Sequence, residues 1–402
     1  MLVFSARKPW YYYQGFFIKL IVPLLEDWSI GENIMTNADQ QFMQQALQLA
    51  ALARGRTSPN PLVGAVLVKD GKVIGEGYHH QAGTPHAEIH ALNQAGDQAQ
   101  GATLYVSLEP CSHFGRTPPC ADAVIAAGVA RVVIAALDPN PKVAGNGLRK
   151  LREAGIEVEA GVLEQQSRRL NEVFWKYIQT GQPLIALKTA MTLDGKIATY
   201  SGDSRWVTGD SARREVHRLR NIYDGILVGI GTVLKDDPLL NTRLEGPDVR
   251  DPVRIIIDGR LQLPLDGHIA RTAGRQRTLV FSSNQADPRT QLKLERIGLH
   301  VVSLGCSPDI VPLEEVIQIL GRMEICSVLV EGGGEINGYL LEHELVDKVY
   351  WFIAPKLIGG REAPTPVGGQ GLPLMQEAWP LKSVEIENFG SDILISGNLK
   401  EW

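Results

Sequence analysis

Three short runs stand out for the side chains they place together: Pro85-His86-Ala87-Glu88, Pro110-Cys111 and Pro119-Cys120. One imidazole and two thiolates are borderline-soft donors that suit Zn2+, and three protein ligands leave a fourth position open for water. Zinc lowers the pKa of such a water to about 7, so hydroxide is available at neutral pH. Glu88 follows His86 by two residues, both near a predicted helix start, so its carboxyl can sit beside the water without ligating the metal. A carboxylate there takes the water proton, and the acid returns protons to a ring nitrogen and a leaving amine. Each cysteine follows a proline at an expected loop-to-helix transition, where the positive helix end favours thiolate.

The same residues have plainer readings. They are also compatible with two core cysteines and an exposed histidine, or with a structural zinc site closed by His113 as fourth ligand. A closed site leaves Glu88 without a task. His-x-Glu followed by Pro-Cys-x-x-Cys is the pattern of zinc nucleobase deaminases. Here His-Ala-Glu and Pro-Cys match, but eight residues, Ser112 to Pro119, separate the cysteines. His79, His80 and His90 read as surface or structural, and Cys306 and Cys326 as buried thiols.

The second half carries two strand–glycine–helix junctions, Ile226 to Thr232 and Val328 to Gly334. Neither fits G-x-G-x-x-G, so a Rossmann fold is not supported. Each alone is a tight turn as often as a cofactor site. Paired at opposite ends of one sheet, they favour a nucleotide site, with phosphate at a helix N-terminus.

These groups need elements to hold them. Residues 38–53 carry a helical apolar stripe, and Leu62–Val68 and Val73–Tyr78 flank the hairpin signal Asp70-Gly71. Strands at Thr103–Leu108, Ala130–Leu137 and Ile156–Val162 alternate with helices at His86–Ala95, Ala121–Ala127 and Gly147–Ala154, and one helix runs from Glu164 to Ile178. That alternation predicts a mainly parallel sheet with helices on both faces. Thr180-Gly181-Gln182-Pro183 marks a boundary. Beyond it come strands at Leu184–Ala190, Gly225–Ile230, Arg254–Asp258, Thr278–Ser282, Leu299–Leu304, Ser327–Val330 and Lys348–Pro355. Helices are expected at Ser211–Ile222, Leu313–Met323 and Glu335–Leu345, and two strands around Gly390-Ser391-Asp392 close the chain.

The chain has 402 residues, 44% hydrophobic and 21% charged, which suits a globular protein of two or three domains and excludes disorder. Lys and Arg total 40 against 45 Asp and Glu, so no positive excess points to nucleic acid or membrane as partner. A small substrate is the default. Four cysteines fit a reducing, cytoplasmic setting. In residues 1–34 the apolar part, Gly15 to Leu25, is broken by Lys19 and Pro23 and is too short to span a bilayer. No signal-peptide cleavage site follows. Met35 resembles a natural start, so 1–35 reads as a poorly ordered extension or as a docking or targeting segment. The expected division is 1–35 extension, 36–180 first domain and 181–402 second domain.

The runs PNPLVG (59–64), HHQAGTPHAEIH (79–90), SLEPCSHFGRTPPC (107–120) and DPNPKVAGNG (138–147) resemble the deaminase half of the bifunctional riboflavin-biosynthesis deaminase–reductases. LKTAMTLDGKIA (187–198), SGDSRWVTG (201–209), GIGTVLKDDPLLNTR (229–243), RIIIDG (254–259) and VEGGGEING (330–338) resemble their reductase half. The likeness covers nearly all but the leader. It implies an α/β chain with an N-terminal cytidine-deaminase-like three-layer domain and a C-terminal dihydrofolate-reductase-like domain. It also implies zinc on His86, Cys111 and Cys120, with Glu88 as proton shuttle. The implied substrate is 2,5-diamino-6-ribosylamino-4(3H)-pyrimidinone 5′-phosphate, which loses its 2-amino group before NADPH reduces the ribosyl group to ribityl. Asn60, between two prolines, would hold the pyrimidine edge, and Arg116 the phosphate. In the reductase half the likeness places Ala190, Trp206, Thr232, Asp236 and Gly333 at the cofactor, and Ser204, Arg220, Leu240, Arg243 and Glu331 at the substrate. Arg220 and Arg243 suit a phosphate. Ala190 and Gly259 stand where relatives carry other small residues, so their contacts would be backbone. The family also implies a homo-oligomer.

Overall fold

The computed structural model describes residues 38–402 except 113–117 and 141–142. The leader reading of 1–34 therefore lies outside the described residues. The first helix, Ala38–Ala51, buries Met43, Ala46, Leu47 and Ala50 along one face. The hairpin follows as β1 (Gly64–Lys69) and β2 (Lys72–Tyr78). Asp70 and Gly71 have φ of 51° and 74°, the left-handed pair that a two-residue hairpin turn requires.

Strands β3 (Thr103–Leu108), β4 (Arg131–Ala136) and β5 (Glu157–Ala160) complete a five-stranded sheet in the order β2-β1-β3-β4-β5. β1 pairs antiparallel with β2 and β3, whereas β3, β4 and β5 run parallel. Both faces are covered, which is why β4 reads as a continuous apolar run. Helices Ala87–Ala95, Cys120–Ala126 and Asn146–Glu153 pack on one side through Ala91, Val124 and Leu151. The first helix packs on the other against Val66, Tyr105 and Val133. The result is the expected three-layer arrangement.

The single helix expected over 164–178 is instead two, Glu164–Leu170 and Glu172–Thr180, meeting at Asn171. The Asn171 side chain accepts from Leu62 N at 2.7 Å and donates to Leu62 O at 3.0 Å. A side-chain amide satisfying a distant strand's backbone offers an alternative to helical continuation.

The second sheet has nine strands: β6 (Leu184–Thr192), β7 (Gly225–Gly229), β8 (Val253–Ile257), β9 (Thr278–Ser283), β10 (His300–Leu304), β11 (Ser327–Val330), β12 (Lys348–Ala354), β13 (Lys382–Phe389) and β14 (Asp392–Asn398). Their order is β10-β9-β8-β7-β11-β6-β12-β14-β13. The first seven are parallel, and β14 and β13 add an antiparallel edge. The helix of the first glycine junction is Ile230–Asp236, and two helices were not expected: His268–Arg271 and Pro288–Arg296. The last had a start signal, since the Asp287 side chain accepts from Arg289 N and Thr290 N and Pro288 opens the helix.

One expectation is corrected by this order. The glycine junctions do not lie at opposite ends of the sheet. β7 and β11 are parallel neighbours, with Val330 opposite Leu227, so both junctions leave the same carboxyl edge. Helix Glu172–Thr180 ties the sheets together. Lys176 forms an ion pair with Asp347, both fully buried, and Lys348 Nζ donates to Glu172 at 2.6 Å. Phe174 and Trp175 pack with Leu108 and Ala136, and the C-terminal Trp402 joins them.

Candidate active sites

The ligand atoms of His86, Cys111 and Cys120 all lie within 4.8 Å of one another. His86 is the N-cap of helix Ala87–Ala95, and Cys120 opens helix Cys120–Ala126. His86 Nδ1 is 3.1 Å from Cys120 Sγ and 3.6 Å from Cys111 Sγ. Such spacings suit ligands at about 2.0–2.3 Å from one tetrahedral ion. Cys111 departs from expectation: it sits in the loop after β3, not on a helix start. The helix end still serves it, because Cys120 N donates to Cys111 Sγ at 3.3 Å.

The three donors perturb one another's titration. A hydrogen bond from Cys120, helped by His86 and opposed by burial, brings the Cys111 thiol well below its ordinary range. The hydrogen bond to Cys111 and burial push Cys120 far up. His86 is raised, chiefly by its hydrogen bond with Cys111. A metal ion replaces such shared protons. Glu88 is 3% exposed, and burial pushes its carboxyl up to about 7. Its Oε2 is buried and has no hydrogen-bond partner among the described residues. A soft three-donor cluster beside an orphaned carboxyl oxygen fits an open catalytic zinc, and among the described residues no fourth His, Cys, Asp or Glu joins it. His113 and Arg116 lie outside the described residues.

Asn60 is brought to the same place through His79. Asn60 Nδ2 is 3.1 Å from His79 Nε2, and His79 Nδ1 is 3.2 Å from Pro85 O. Both contacts are satisfied when Nδ1 carries the proton and donates to Pro85, leaving Nε2 to accept. Burial, chiefly, holds His79 below its ordinary pKa. His79 is thus structural, as expected, and its ring stands edge-on 5.2 Å from that of His86. His80 and His90 stack on each other at 4.5 Å.

Sequence reasoning missed Glu109. Its buried carboxylate accepts from Asp138 N (3.2 Å), Gly145 N (3.0 Å), Gly147 N (2.8 Å) and Leu148 N (3.2 Å). Gly147 comes so close that a Cβ there would lie 2.1 Å from Pro110 O. The run Glu109-Pro110-Cys111 is thereby fastened to the start of helix Asn146–Glu153. The available signal was an acid at the end of an apolar strand, two residues before a ligand.

In the second sheet, Glu331 follows β11 and meets Arg220 from helix Asp210–Ile222 and Lys188 from β6. Arg220 also donates to Asn241 O at 3.0 Å. Three guanidinium nitrogens are therefore engaged, and Arg220 holds Glu331 rather than presenting a free fork to phosphate. Arg243 is exposed. Burial alone would raise Glu331, but the charges of Arg220 and Lys188 bring it down to about 2. His217, not singled out in the sequence, lies one turn before Arg220. Burial, then the charges of Arg220 and Arg243, lower it to about 4.

The remaining expected positions divide. Thr232 and Asp236 lie one turn apart on helix Ile230–Asp236, and Ala190 is half-buried on β6. Ser204 is half-buried in the segment after β6. Trp206 is 61% exposed beneath the Arg213 guanidinium, so it is not a core residue. Leu240 is 3% exposed in the apolar core with Ile226 and Val228, so its side chain faces no opening. A Cβ on Gly259 would strike Pro308 O at 2.2 Å. A Cβ on Gly333 would meet nothing within 4 Å, and helix Gly334–Glu342 starts there without a side-chain cap. Open backbone at an uncapped helix start fits the phosphates of a dinucleotide cofactor. Cys326 is buried, whereas Cys306 is only half-buried. Among the described residues no helix is long and apolar enough to cross a membrane.

Comparison with known proteins finds two family models along the chain. Residues 36–136 match the family model described as cytidine and deoxycytidylate deaminase zinc-binding region, and 183–395 match the RibD C-terminal domain. The chain is 44% identical over 365 residues to the riboflavin biosynthesis protein RibD of Actinobacillus pleuropneumoniae, covering 91% of this chain and 96% of the relative. It is 44% identical over 368 residues to that of Escherichia coli, covering 89% and 98%. Acinetobacter baumannii RibD is similar in structure, with a TM-score of 0.81 at 40% identity over 90% of this chain and 98% of that one. So is a diaminohydroxyphosphoribosylaminopyrimidine deaminase/5-amino-6-(5-phosphoribosylamino)uracil reductase from Thermotoga maritima, with a TM-score of 0.78 at 41% identity over 90% and 98%.

Proposed function

Because this chain belongs to the RibD family of bifunctional riboflavin-biosynthesis enzymes, a zinc deaminase joined to an NADPH-dependent reductase, we propose how its own residues divide the two reactions. Residues 36–180 carry the deamination and 181–402 the reduction. His86, Cys111 and Cys120 hold the zinc. The ion, when bound, supplies Lewis acidity and an activated water. Glu88, kept near neutrality by burial, takes the water proton and returns protons to the pyrimidine ring nitrogen and the departing amine. Water enters at C2, the C–N bond to the amino group breaks, and ammonia leaves. Asn60 holds the pyrimidine edge and Arg116 the 5′-phosphate.

In the second site Gly333, Ala190, Trp206, Thr232 and Asp236 would receive NADPH, which would supply hydride to C1′ of the ring-opened sugar held as a Schiff base, the C=N electron pair passing to the nitrogen, which takes a proton from solvent. Ser204, Glu331, Arg243 and the Leu240 backbone meet the substrate, and Arg220 fixes the Glu331 carboxylate. Family likeness supports a cytoplasmic homo-oligomer acting on a phosphorylated pyrimidine, with no nucleic-acid or membrane partner.

The observation that carries this reading is the cluster of half-buried His86 and Cys111 with buried Cys120, and the buried Glu88 beside it. Metal analysis combined with stepwise turnover tests it. The expected result is bound zinc, ammonia release without NADPH, and NADPH oxidation only once deaminated product has formed. Ammonia release by a zinc-free chain contradicts it.

A further inference from the structure

The segment that presents Asn60 is built against the reductase half. Ser58 Oγ donates to Asp224 Oδ2 at 3.0 Å. Arg56 donates to Asp248 O and lies 3.8 Å from its carboxylate. Gly55, at φ +77°, passes so close to the end of helix Asp210–Ile222 that a Cβ would lie 2.6 Å from Asn221 O and 2.9 Å from Ile222 Cα. Thr57 is buried, and Asn60 N donates to Thr57 O at 2.7 Å, so the turn that starts on the reductase surface ends on Asn60.

Asp224 is itself held firmly. It accepts from Cys326 N at 3.1 Å, Ser327 Oγ at 3.0 Å and Arg250 Nη2 at 3.1 Å. Arg250 also donates to Ile222 O at 2.8 Å. A carboxylate fixed by three other donors is a rigid anchor for the Ser58 hydroxyl. At the other end, Asn60 meets His79, which is tied to Pro85 beside the ligand His86.

We propose that the reductase half positions the deaminase substrate contact: Asp224, acting through Ser58, sets the Asn60 amide, and Ser58 and Asp224 are positioning residues for deamination. This rests on the reading of Asn60 as the pyrimidine contact. It gives a physical reason for keeping both activities on one chain, since the first site borrows part of its frame from the second.

Steady-state kinetics of full-length variants tests it. Ser58→Ala is expected to raise the deamination KM about five-fold, the order of one lost hydrogen bond, and to spare kcat. Zinc content and reduction of the deaminated intermediate stay as in the parent. Ser58→Thr, which keeps the hydroxyl, restores KM. Gly55→Ala, whose new methyl collides with reductase backbone, shifts KM the same way and further. Asn60→Ala separates the two claims. If Asn60→Ala raises KM but Ser58→Ala and Gly55→Ala do not, the positioning role is overturned while the Asn60 reading stands. If Asn60→Ala leaves KM unchanged, the Asn60 reading fails and the positioning role falls with it.

Discussion

Arg220 lies side by side with Glu331, its Nε 2.7 Å from Oε1 and its Nη2 3.0 Å from Oε2. The two residues come from helix Asp210–Ile222 and from the end of β11, so the pair closes one corner of the parallel carboxyl edge. Two parallel charge-assisted bonds fix the carboxylate in orientation as well as in charge.

Lysine cannot reproduce that fork. Arg220→Lys is expected to lower kcat/KM for reduction by roughly ten- to a hundred-fold, the range of one to two charge-assisted hydrogen bonds. Deamination of the first substrate stays unchanged. Separate assays of ammonia release and NADPH oxidation check this, and an equal loss in both would contradict it.

The same pair sets an acid limit on stability. Burial raises Glu331, but Arg220 and Lys188 outweigh it and bring the folded value to about 2, below the ordinary 4.5. A depressed carboxylate contributes stability that is fully present above its unfolded pKa and lost as pH falls through the folded one. The loss from this group therefore lies between pH 4.5 and about 2. Denaturant midpoints at about pH 6 and about pH 3 should fall more for the parent than for Glu331→Gln. Parallel losses would place the acid sensitivity elsewhere.

Glu109 should matter to the metal although it does not touch it. Removing its carboxylate strands four backbone N–H groups around residues 138–148. Glu109→Ala is expected to cost about 3 kcal/mol, since unsatisfied buried donors cost about 1–3 kcal/mol and charged partners are the stronger ones. Loss of zinc to a chelator should also quicken, because Pro110 and Cys111 lose their footing. Thermal unfolding and chelator competition read both effects.

Much of this was legible where the signal is local. The hairpin at Asp70-Gly71, the apolar run of β4, and the His86, Glu88, Cys111 and Cys120 set are all written in adjacent or periodic residues. What was not legible depends on partners far along the chain. The break at Asn171 arises from its amide pairing with Leu62, 109 residues away. The adjacency of β7 and β11 follows from sheet order, which no run of residues encodes. Arg220 suited a phosphate by residue type alone, and only the fold shows Glu331 taking its fork. Leu240 matched a family position, yet its side chain belongs to the core.

The buried pair Lys176 and Asp347 joins the two sheets. Removing one partner leaves an uncompensated buried charge, which costs about 3–5 kcal/mol. Lys176→Met should therefore lower the unfolding midpoint sharply, and Lys176→Met with Asp347→Asn should recover part of the loss. A double variant no more stable than the single one would show that the ion pair is not the main tie.

The central claim is that Glu88 moves the protons of deamination and takes no part in reduction. Glu88→Gln keeps the size of the side chain and removes its acid–base function. Assayed on the same purified protein, it should retain zinc, lose ammonia release by roughly a hundred- to ten-thousand-fold, and reduce the deaminated intermediate at the parent rate. Persistent ammonia release, or an equal fall in both activities, would contradict the account.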